Sequence, residues 1–302
     1  MMSYNGGKRS VAESESINER LRRARDARDD EFYTQYSDIE RELKHYEFKF
    51  IGKRVYCNCD NPLESAFFRY FHLNFNRLGI LSLTATHFVE NGQGVLAKYT
   101  GECDSDVRVY LSEPLTGDGD FRSDECRELL RGADIIVTNL PFSLAREFIE
   151  TLITEGKSFL IVGALPWLGY SQIFPLIRDN KVWTGMNDIT EFIRPDGTFR
   201  HIGFGLWVTN LDNERRHRRL ELKAQFSSLR YPKYSNFDAI NVDKVADIPK
   251  DYFGVMGLPL PFLKQYNPEQ FEIVGFRKGN DGKDLRVGER ELFSRVLIRR
   301  KE

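Results

Sequence analysis

The sequence predicts an α/β fold built on a doubly wound sheet with helices on both faces. Short apolar or β-branched runs predict five buried strands, which lie near 55–59, 81–88, 135–137, 158–164 and 204–210. Segments with apolar residues at helical spacing separate these runs. The run at 135–137 contains no polar residue, as expected for a parallel strand covered on both faces. Strands that alternate with helices in this way form a doubly wound sheet.

A turn follows the strand at 135–137, at the carboxyl edge where open α/β sheets bind their ligands. The turn consists of Asn139, Leu140, Pro141 and Phe142. The Asn139 side-chain oxygen and the Leu140 carbonyl can accept the two hydrogens of a planar amine, and Phe142 can stack on an extruded base. Ser143 is expected to cap a helix that continues to residue 152. The alternative is a turn that merely ends a strand, because Asn and Pro are common turn residues.

The composition excludes several classes of protein. Of the 302 residues 41% are hydrophobic, so the chain can bury a sizeable core and does not resemble a disordered protein. No apolar run has membrane-spanning length, and the first residues lack the apolar core of a signal peptide. Four cysteines without paired zinc spacing predict free thiols and no structural metal. We therefore expect a soluble cytoplasmic protein.

The net charge is −1, so a contact with nucleic acid has to depend on a local cluster of positive charge. Between residues 194 and 234 there are nine Lys or Arg residues and four acids, a net charge of +5, with Tyr231 and Tyr234 interleaved. We predict a phosphate-facing patch in this segment. Its centre is formed by Arg215, Arg216, Arg218 and Arg219. A solvated surface with unrelated positive charge is the alternative.

The turn resembles the Asn-Pro-Pro-Phe/Tyr motif of amino methyltransferases that depend on S-adenosylmethionine (SAM). Other segments resemble the SAM-binding elements of those enzymes, in the same order. They contain Phe32, Tyr33 and Thr34 before the first strand, Asp60 after it, and Asp120 with Phe121 ahead of the turn. The resemblance implies that 32–34 close over the methionine end of SAM, and that Asp60 faces its positive charge. It also implies that Asp120 accepts from the adenine amino group while Phe121 lies beside the ring.

Three later blocks, at 238–249, 251–263 and 266–275, make the resemblance specific. From about residue 30 onward the chain resembles the EcoRI-type adenine-specific DNA methyltransferase family. This implies methyl transfer from SAM to the exocyclic amino nitrogen (N6) of a flipped-out adenine in a short double-stranded DNA sequence, in restriction-modification or phage settings. It also implies a Rossmann-like SAM-binding and catalytic domain at 31–210, after a charged, partly disordered tail at 1–30 and before a DNA-recognition region at 211–302. The expected location is the cytoplasm of a bacterium or of a phage-infected host.

Leu140 is a departure from the family pattern, because it replaces the first proline of the motif. The backbone acceptor is retained, but the fixed φ of proline is lost and an N–H is added. The following Pro141 still favours extended geometry at Leu140. Two alternatives therefore stay open: a DNA-binding protein on a methyltransferase scaffold with weakened catalysis, and an enzyme that methylates RNA or a protein glutamine.

Overall fold

The computed structural model describes residues 33–59, 61–62, 64–101, 111–194, 196–278 and 284–301, so the predicted tail at 1–30 lies outside the described residues. A nine-stranded mixed sheet forms the centre of the protein. Its strands are β1 (Tyr33–Thr34), β2 (Arg54–Asn58), β3 (Ser82–His87), β4 (Val95–Tyr99), β5 (Leu111–Pro114), β6 (Ile135–Thr138), β7 (Ser158–Ala164), β8 (Trp183–Ile193) and β9 (Phe199–Thr209). The strand order is β1-β8-β9-β7-β6-β2-β3-β4-β5.

Parallel pairing defines the middle of this sheet. β2 pairs in parallel with β3 and β6, and β6 pairs in parallel with β7. The helices are α1 (Tyr36–Leu43), α2 (Ala66–Leu73), α3 (Phe75–Leu78), α4 (Asp124–Gly132), α5 (Ala145–Thr154) and α6 (Phe174–Arg178). The steps from β2 to β3 and from β6 to β7 move towards opposite edges, so right-handed crossovers place their helices on opposite faces. The predicted doubly wound, Rossmann-like α/β sheet is confirmed.

The strand before the turn has the predicted burial, because all four residues of β6 are buried. The helix after the turn begins differently from the prediction. Phe142–Leu144 forms a 3₁₀ helix, which is closed by a hydrogen bond from the Leu144 N–H to the Pro141 carbonyl at 3.0 Å. Leu144 then holds the N-cap position of α5. The predicted Ser143 cap is wrong, because Ser143 lies inside this tight turn.

The strand β8 was not predicted from the sequence. It pairs antiparallel with β9 over most of its length, and the two form a long β-ribbon. Its register shifts at 184–188 and again at 189–191; the extra residues lie in β8 at the first shift, which is a bulge, and in β9 at the second. A bulged strand loses the strict period of two, so its polar sequence gave no alternation to detect.

A buried carboxylate fixes the bulge of β8. Glu42 on α1 is fully buried and accepts hydrogen bonds from the backbone N–H groups of Met186 at 2.7 Å and Asn187 at 2.8 Å. Burial raises the pKa of Glu42, and these two donors oppose the rise. A Cβ at Gly185 would lie 2.2 Å from a Glu42 oxygen, so only glycine fits at this point of the bulge. Arg215 donates to the Gly185 carbonyl at 3.0 Å from the other side.

The carboxyl-terminal part of the chain adds a smaller sheet, in the order β10-β11-β15-β12, and a hairpin of β13 with β14. Its strands are β10 (Ile240–Asn241), β11 (Met256–Pro259), β12 (Phe271–Arg277), β13 (Leu285–Val287), β14 (Arg290–Leu292) and β15 (Arg295–Arg300). Phe276 of β12 stacks on Phe174 of α6 with the ring centroids 4.9 Å apart. Buried residues from both sheets belong to one hydrophobic cluster. No helix in the described part of the chain is long and apolar enough to cross a membrane.

Candidate active site

A cavity of about 530 Å³ opens at the carboxyl edge of the parallel strands. This volume lies within the range of small-molecule sites. Its wall includes residues of β1, the start of α2, the end of β3, the loop before α4, and the turn after β6. These segments contribute Tyr33, Thr34, Ser65, His87, Asp120, Phe121, Asn139, Leu140 and Pro141, among others. Seven of the ten catalytic and cofactor residues predicted from the sequence therefore lie together.

The turn after β6 enters the cavity through its first three residues, Asn139, Leu140 and Pro141. The side-chain oxygen of Asn139 is shielded from solvent. The hydroxyl of Thr138, the last residue of β6, donates to the Asn58 carbonyl at the end of β2. This bond links the ends of two adjacent parallel strands and holds the start of the turn in place.

Phe142 is placed differently from its neighbours, because it is 4% exposed and does not line the cavity. Its ring packs edge-on against Trp167 at 5.3 Å and Phe192 at 6.0 Å between centroids. Trp167 belongs to the 3₁₀ helix Leu165–Gly169 after β7, and Phe192 to β8. In this structure the ring supports the turn from behind. Stacking of Phe142 on a base stays a prediction, and it requires one ring face to become accessible.

The edge strand β1 brings Tyr33 and Thr34 to the cavity by pairing with the end of β8. Thr34 is 4% exposed, and its hydroxyl has no hydrogen-bond partner within the described ranges. A buried hydroxyl without a partner is unfavourable, so a ligand in the cavity is the natural source of one. The predicted residue Phe32 lies outside the described residues.

The start of α2 forms a second wall. The Ser65 hydroxyl caps the helix by accepting from the N–H groups of Phe67 and Phe68, both at 3.1 Å. Glu64 lies directly before the cap and also lines the cavity. The predicted cofactor residue Asp60 lies outside the described residues.

Asp120 and Phe121 form the wall opposite α2. Gly119 has φ +88°, and a Cβ there would lie 2.4 Å from the His87 carbonyl oxygen, so glycine allows this loop to approach β3. Both carboxylate oxygens of Asp120 accept from Arg122, one from its backbone N–H at 2.8 Å and one from its guanidinium at 3.0 Å. The guanidinium also lies 4.9 Å from the centroid of the Phe121 ring. The loop is therefore held together by its own contacts.

His87 lines the cavity although the sequence analysis assigned it no role. It is the last residue of β3, whose carboxyl end lies at the same edge as those of β2 and β6. This position in the sequence could have identified His87 as a cavity residue, because side chains at the ends of neighbouring parallel strands meet at one edge of the sheet.

The four predicted DNA-contacting arginines fall into two pairs. Arg215 donates to backbone carbonyls of the β8 bulge, as described above. Arg216 lies over the Trp183 ring at 3.5 Å and bonds Asn180 at 2.6 Å, and burial lowers its pKa. Arg218 and Arg219 are exposed and form no ion pair with the described residues.

Tyr231 and Tyr234 do not belong to an exposed patch, because both are buried. Their hydroxyls donate to the Asp247 carbonyl at 2.8 Å and to the Asn241 side chain at 2.9 Å. The expectation that these rings interleave with phosphate-facing charges is therefore wrong, because each ring supports the smaller sheet.

The lining of the cavity fits the chemical groups of SAM. Phe88 and Phe121 offer aromatic surface for a purine. The Glu64 carboxylate suits a sulfonium or an ammonium group, and the Asp120 carboxylate can accept from an amino group. The Thr34 hydroxyl is a buried polar group that has no hydrogen-bond partner among the described residues. Among the described residues no cluster of His, Cys, Asp and Glu is suited to hold a metal ion.

A Rossmann-like sheet with an Asn-x-Pro-Phe turn at its carboxyl edge defines the class of the SAM-dependent amino methyltransferases. A family model described as "Adenine-specific methyltransferase EcoRI" matches residues 20–301. The chain belongs to this family, and it is an adenine-specific DNA methyltransferase.

Three relatives are similar over most of their length. The chain is 42% identical to Type II methyltransferase M.EcoRI of Escherichia coli, over 95% of this chain and 98% of that protein. It is 36% identical to Type II methyltransferase M.MpnI of Mycoplasma pneumoniae, over 83% and 84%. It is 33% identical to Type II methyltransferase M.MgeORF184P of Mycoplasma genitalium, over 93% and 98%. No solved structure matches the chain significantly.

Proposed function

We propose that the chain binds SAM in the 530 Å³ cavity and methylates N6 of an adenine within a short duplex DNA sequence, as in restriction-modification or phage DNA protection. One observation carries this proposal. Tyr33 and Thr34, Asp120 and Phe121, and the Asn139–Pro141 turn come from distant parts of the chain and line a single cavity. Their convergence supports a cofactor and an amine substrate that meet at the turn.

SAM, when bound, supplies an electrophilic methyl group on a sulfonium. The residues of this chain position the amine that receives it. The Asn139 side-chain oxygen and the Leu140 carbonyl each accept one amino hydrogen, which directs the nitrogen lone pair into the cavity. An adenine reaches the turn only after it has left the base stack. Thr138 and Phe142 hold the turn from behind, so the two acceptors are oriented before the substrate arrives.

Cofactor binding is tested with Asp120→Ala. Loss of one hydrogen bond to a charged group should weaken SAM binding by about 1.5–3 kcal/mol, roughly 10- to 150-fold, in calorimetry. Glu147→Ala is the matched control, because Glu147 also binds Arg122, at 2.9 Å, but does not line the cavity. The assignment fails if wild type binds no SAM or if both variants bind it equally well.

Methylation is tested by long-read sequencing of DNA from cells that express the chain, which reports the modified base and the sequence motif together. Asn139→Ala should lower kcat by roughly 100- to 1,000-fold, taking about 2.7–4 kcal/mol for one lost transition-state acceptor, with SAM affinity unchanged. Phe142→Leu is preferable to Phe142→Ala, because deletion of a buried ring would destabilise the core by about 3–5 kcal/mol. An adenine motif that persists at wild-type rate in Asn139→Ala would contradict this role.

The alternative of a DNA binder with weakened catalysis rests on Leu140, whose side chain is buried beside the cavity. Leu140→Pro restores the fixed φ of the family motif. On the active-enzyme proposal, wild type methylates DNA and Leu140→Pro keeps or modestly raises the activity. If wild type leaves all DNA unmodified and Leu140→Pro methylates it, the alternative is correct.

A further inference from the structure

The ribbon of β8 and β9 extends beyond the end of β7, the strand that pairs with β9 in the sheet. The last residue of β7, Ala164, pairs with Gly205, whereas β9 begins at Phe199. Six residues of β9, 199–204, therefore extend past the end of β7, and because only four residues of β8, 190–193, accompany them, the overhang is roughly 14 Å at about 3.4 Å per residue. β8 accompanies them as far as Ile193, which lines the cavity. The ribbon thus rises from the edge at which the substrate has to arrive.

The end of this ribbon is ordered by its own hydrogen bonds. Asp196 accepts from the backbone N–H of Thr198 at 2.8 Å and from its hydroxyl at 2.6 Å. The Arg194 N–H donates to the Thr198 carbonyl at 2.8 Å, and Gly197 supplies the positive φ of the turn. Phe192, the residue before Ile193 in β8, is fully buried. A turn that is ordered in this way can present a side chain in a defined position.

An apolar row crosses the end of the ribbon on one face. Tyr33 of β1 pairs with Ile193 of β8, and Ile193 pairs with Phe199 of β9. Residues directly opposite each other in adjacent strands point to the same face of a sheet. Tyr33 and Ile193 line the cavity, so Phe199 continues the row outwards from its mouth. We call these three residues the rim row.

The outer part of the rim row is unusually exposed. Phe199 is 61% exposed and Tyr33 is 41% exposed. Arg200 follows Phe199 in β9, and Arg194 and Asp196 lie in the turn segment before it. Exposed aromatic rings are a feature with which proteins bind unstacked bases, because every base offers a face for stacking.

We propose that the rim row is a base-stacking shelf, and that Phe199 stacks on a base exposed when the target adenine leaves the duplex. This inference rests on the proposed function, because only a DNA methyltransferase has to hold an opened duplex at this mouth. The occupant is DNA rather than the cofactor, since Phe199 lies outside the residues that line the cavity. The shelf would hold the opened state while Asn139 and Leu140 receive the adenine.

The test uses the full chain and a duplex that carries the motif found by long-read sequencing, with 2-aminopurine in place of the target adenine. Fluorescence of this analogue rises when it leaves the stack. Phe199→Ala should bind the duplex roughly 5- to 150-fold more weakly and lose most of the fluorescence rise, since stacking contributes that range per base. Phe199→Trp should restore both. SAM affinity and the unfolding midpoint should stay unchanged in both variants.

The matched control is Phe48→Ala. Phe48 is 65% exposed, as Phe199 is, but it lies ahead of β2, at the amino end of the parallel strands. This variant should behave as wild type. The proposal is overturned if Phe199→Ala binds and opens the duplex within twofold of wild type. It is also overturned if Phe199→Ala weakens SAM binding as much as DNA binding, or converts a dimer to a monomer. If wild type yields no methylated motif, the proposed function itself has failed.

Discussion

Thr34→Val should change stability and cofactor affinity in opposite directions. Thr34 is buried in β1 and lines the cavity, and its hydroxyl has no hydrogen-bond partner in the described parts of the chain. Valine has nearly the same shape and an equal preference for strands. A buried hydroxyl that lacks a partner costs about 1–3 kcal/mol, so valine should raise the free energy of unfolding of the ligand-free protein by about this amount.

The same substitution should weaken SAM binding, because the ligand can no longer supply the missing partner. The expected loss is about 1–3 kcal/mol, or roughly 5- to 150-fold in Kd. Urea unfolding with and without SAM measures both effects. Ligand at 100 times Kd should add about 2.7 kcal/mol to wild type and clearly less to the variant at the same concentration.

Thr209→Val is the matched control. Thr209 is also fully buried on a strand, but its hydroxyl donates to the Phe159 carbonyl at 2.6 Å and accepts from the Leu211 N–H at 2.9 Å. Valine at this position should lower stability and leave the SAM response unchanged. The reasoning is refuted if Thr34→Val is also less stable than wild type without SAM. It is equally refuted if SAM stabilises this variant as much as it stabilises wild type, because the hydroxyl then makes no hydrogen bond to the ligand.

Three further predictions follow from charged groups. Glu42→Gln should lower the free energy of unfolding by about 1.5–3 kcal/mol in urea, because an amide nitrogen cannot accept from the bulge N–H groups. The hydrogen bonds from Arg54 lower the pKa of Asp134 to about 2 in the folded protein, whereas an unfolded Asp has a pKa of about 3.9. The pair therefore stabilises the fold fully above about pH 3.9, and this contribution is lost as the pH falls through about 2. Asp134→Asn should flatten the stability profile between about pH 4 and 2, measured by denaturant unfolding at each pH. The double variant Arg218→Gln, Arg219→Gln should bind all duplexes more weakly, and its DNA affinity should depend less on salt concentration in a titration. Unchanged binding would show that these two arginines do not contact DNA.

The parts of the fold that were predicted share one physical property. β6 and β7 are buried on both faces, so their apolar runs identify them without any knowledge of their neighbours. β8 could not be found in this way, because Glu42 and Arg215 hold its backbone in a bulge that breaks the alternation. Those partners lie 144 and 30 residues from the bulge, beyond the reach of local patterns.

In the candidate site, too, the residues that local motifs identify were predicted, and the roles that depend on distant contacts were not. Asn139 was predicted because it lies in a short motif at the end of a strand, and Asp120 because its Asp-Phe element resembles a SAM-binding loop; both line the cavity. The role of Phe142 was harder to predict, since its packing against Trp167 depends on how two strand ends meet. The arginines at 215 and 216 carried the charge expected of a DNA contact, but charge alone cannot indicate an intramolecular partner.

The shared core of the two sheets restricts how target specificity can change. Phe276 stacks on Phe174, and a Cβ at Gly169 would lie 2.9 Å from the Phe276 ring, so the carboxyl-terminal sheet and the large sheet are fitted to each other. Exchange of the whole region after residue 210 between relatives would mismatch this contact and expose apolar surface on both sides. The prediction that residues 211–302 recognise DNA therefore implies that new target sequences arise through substitutions in the exposed loops of this region, which leave the common interior intact.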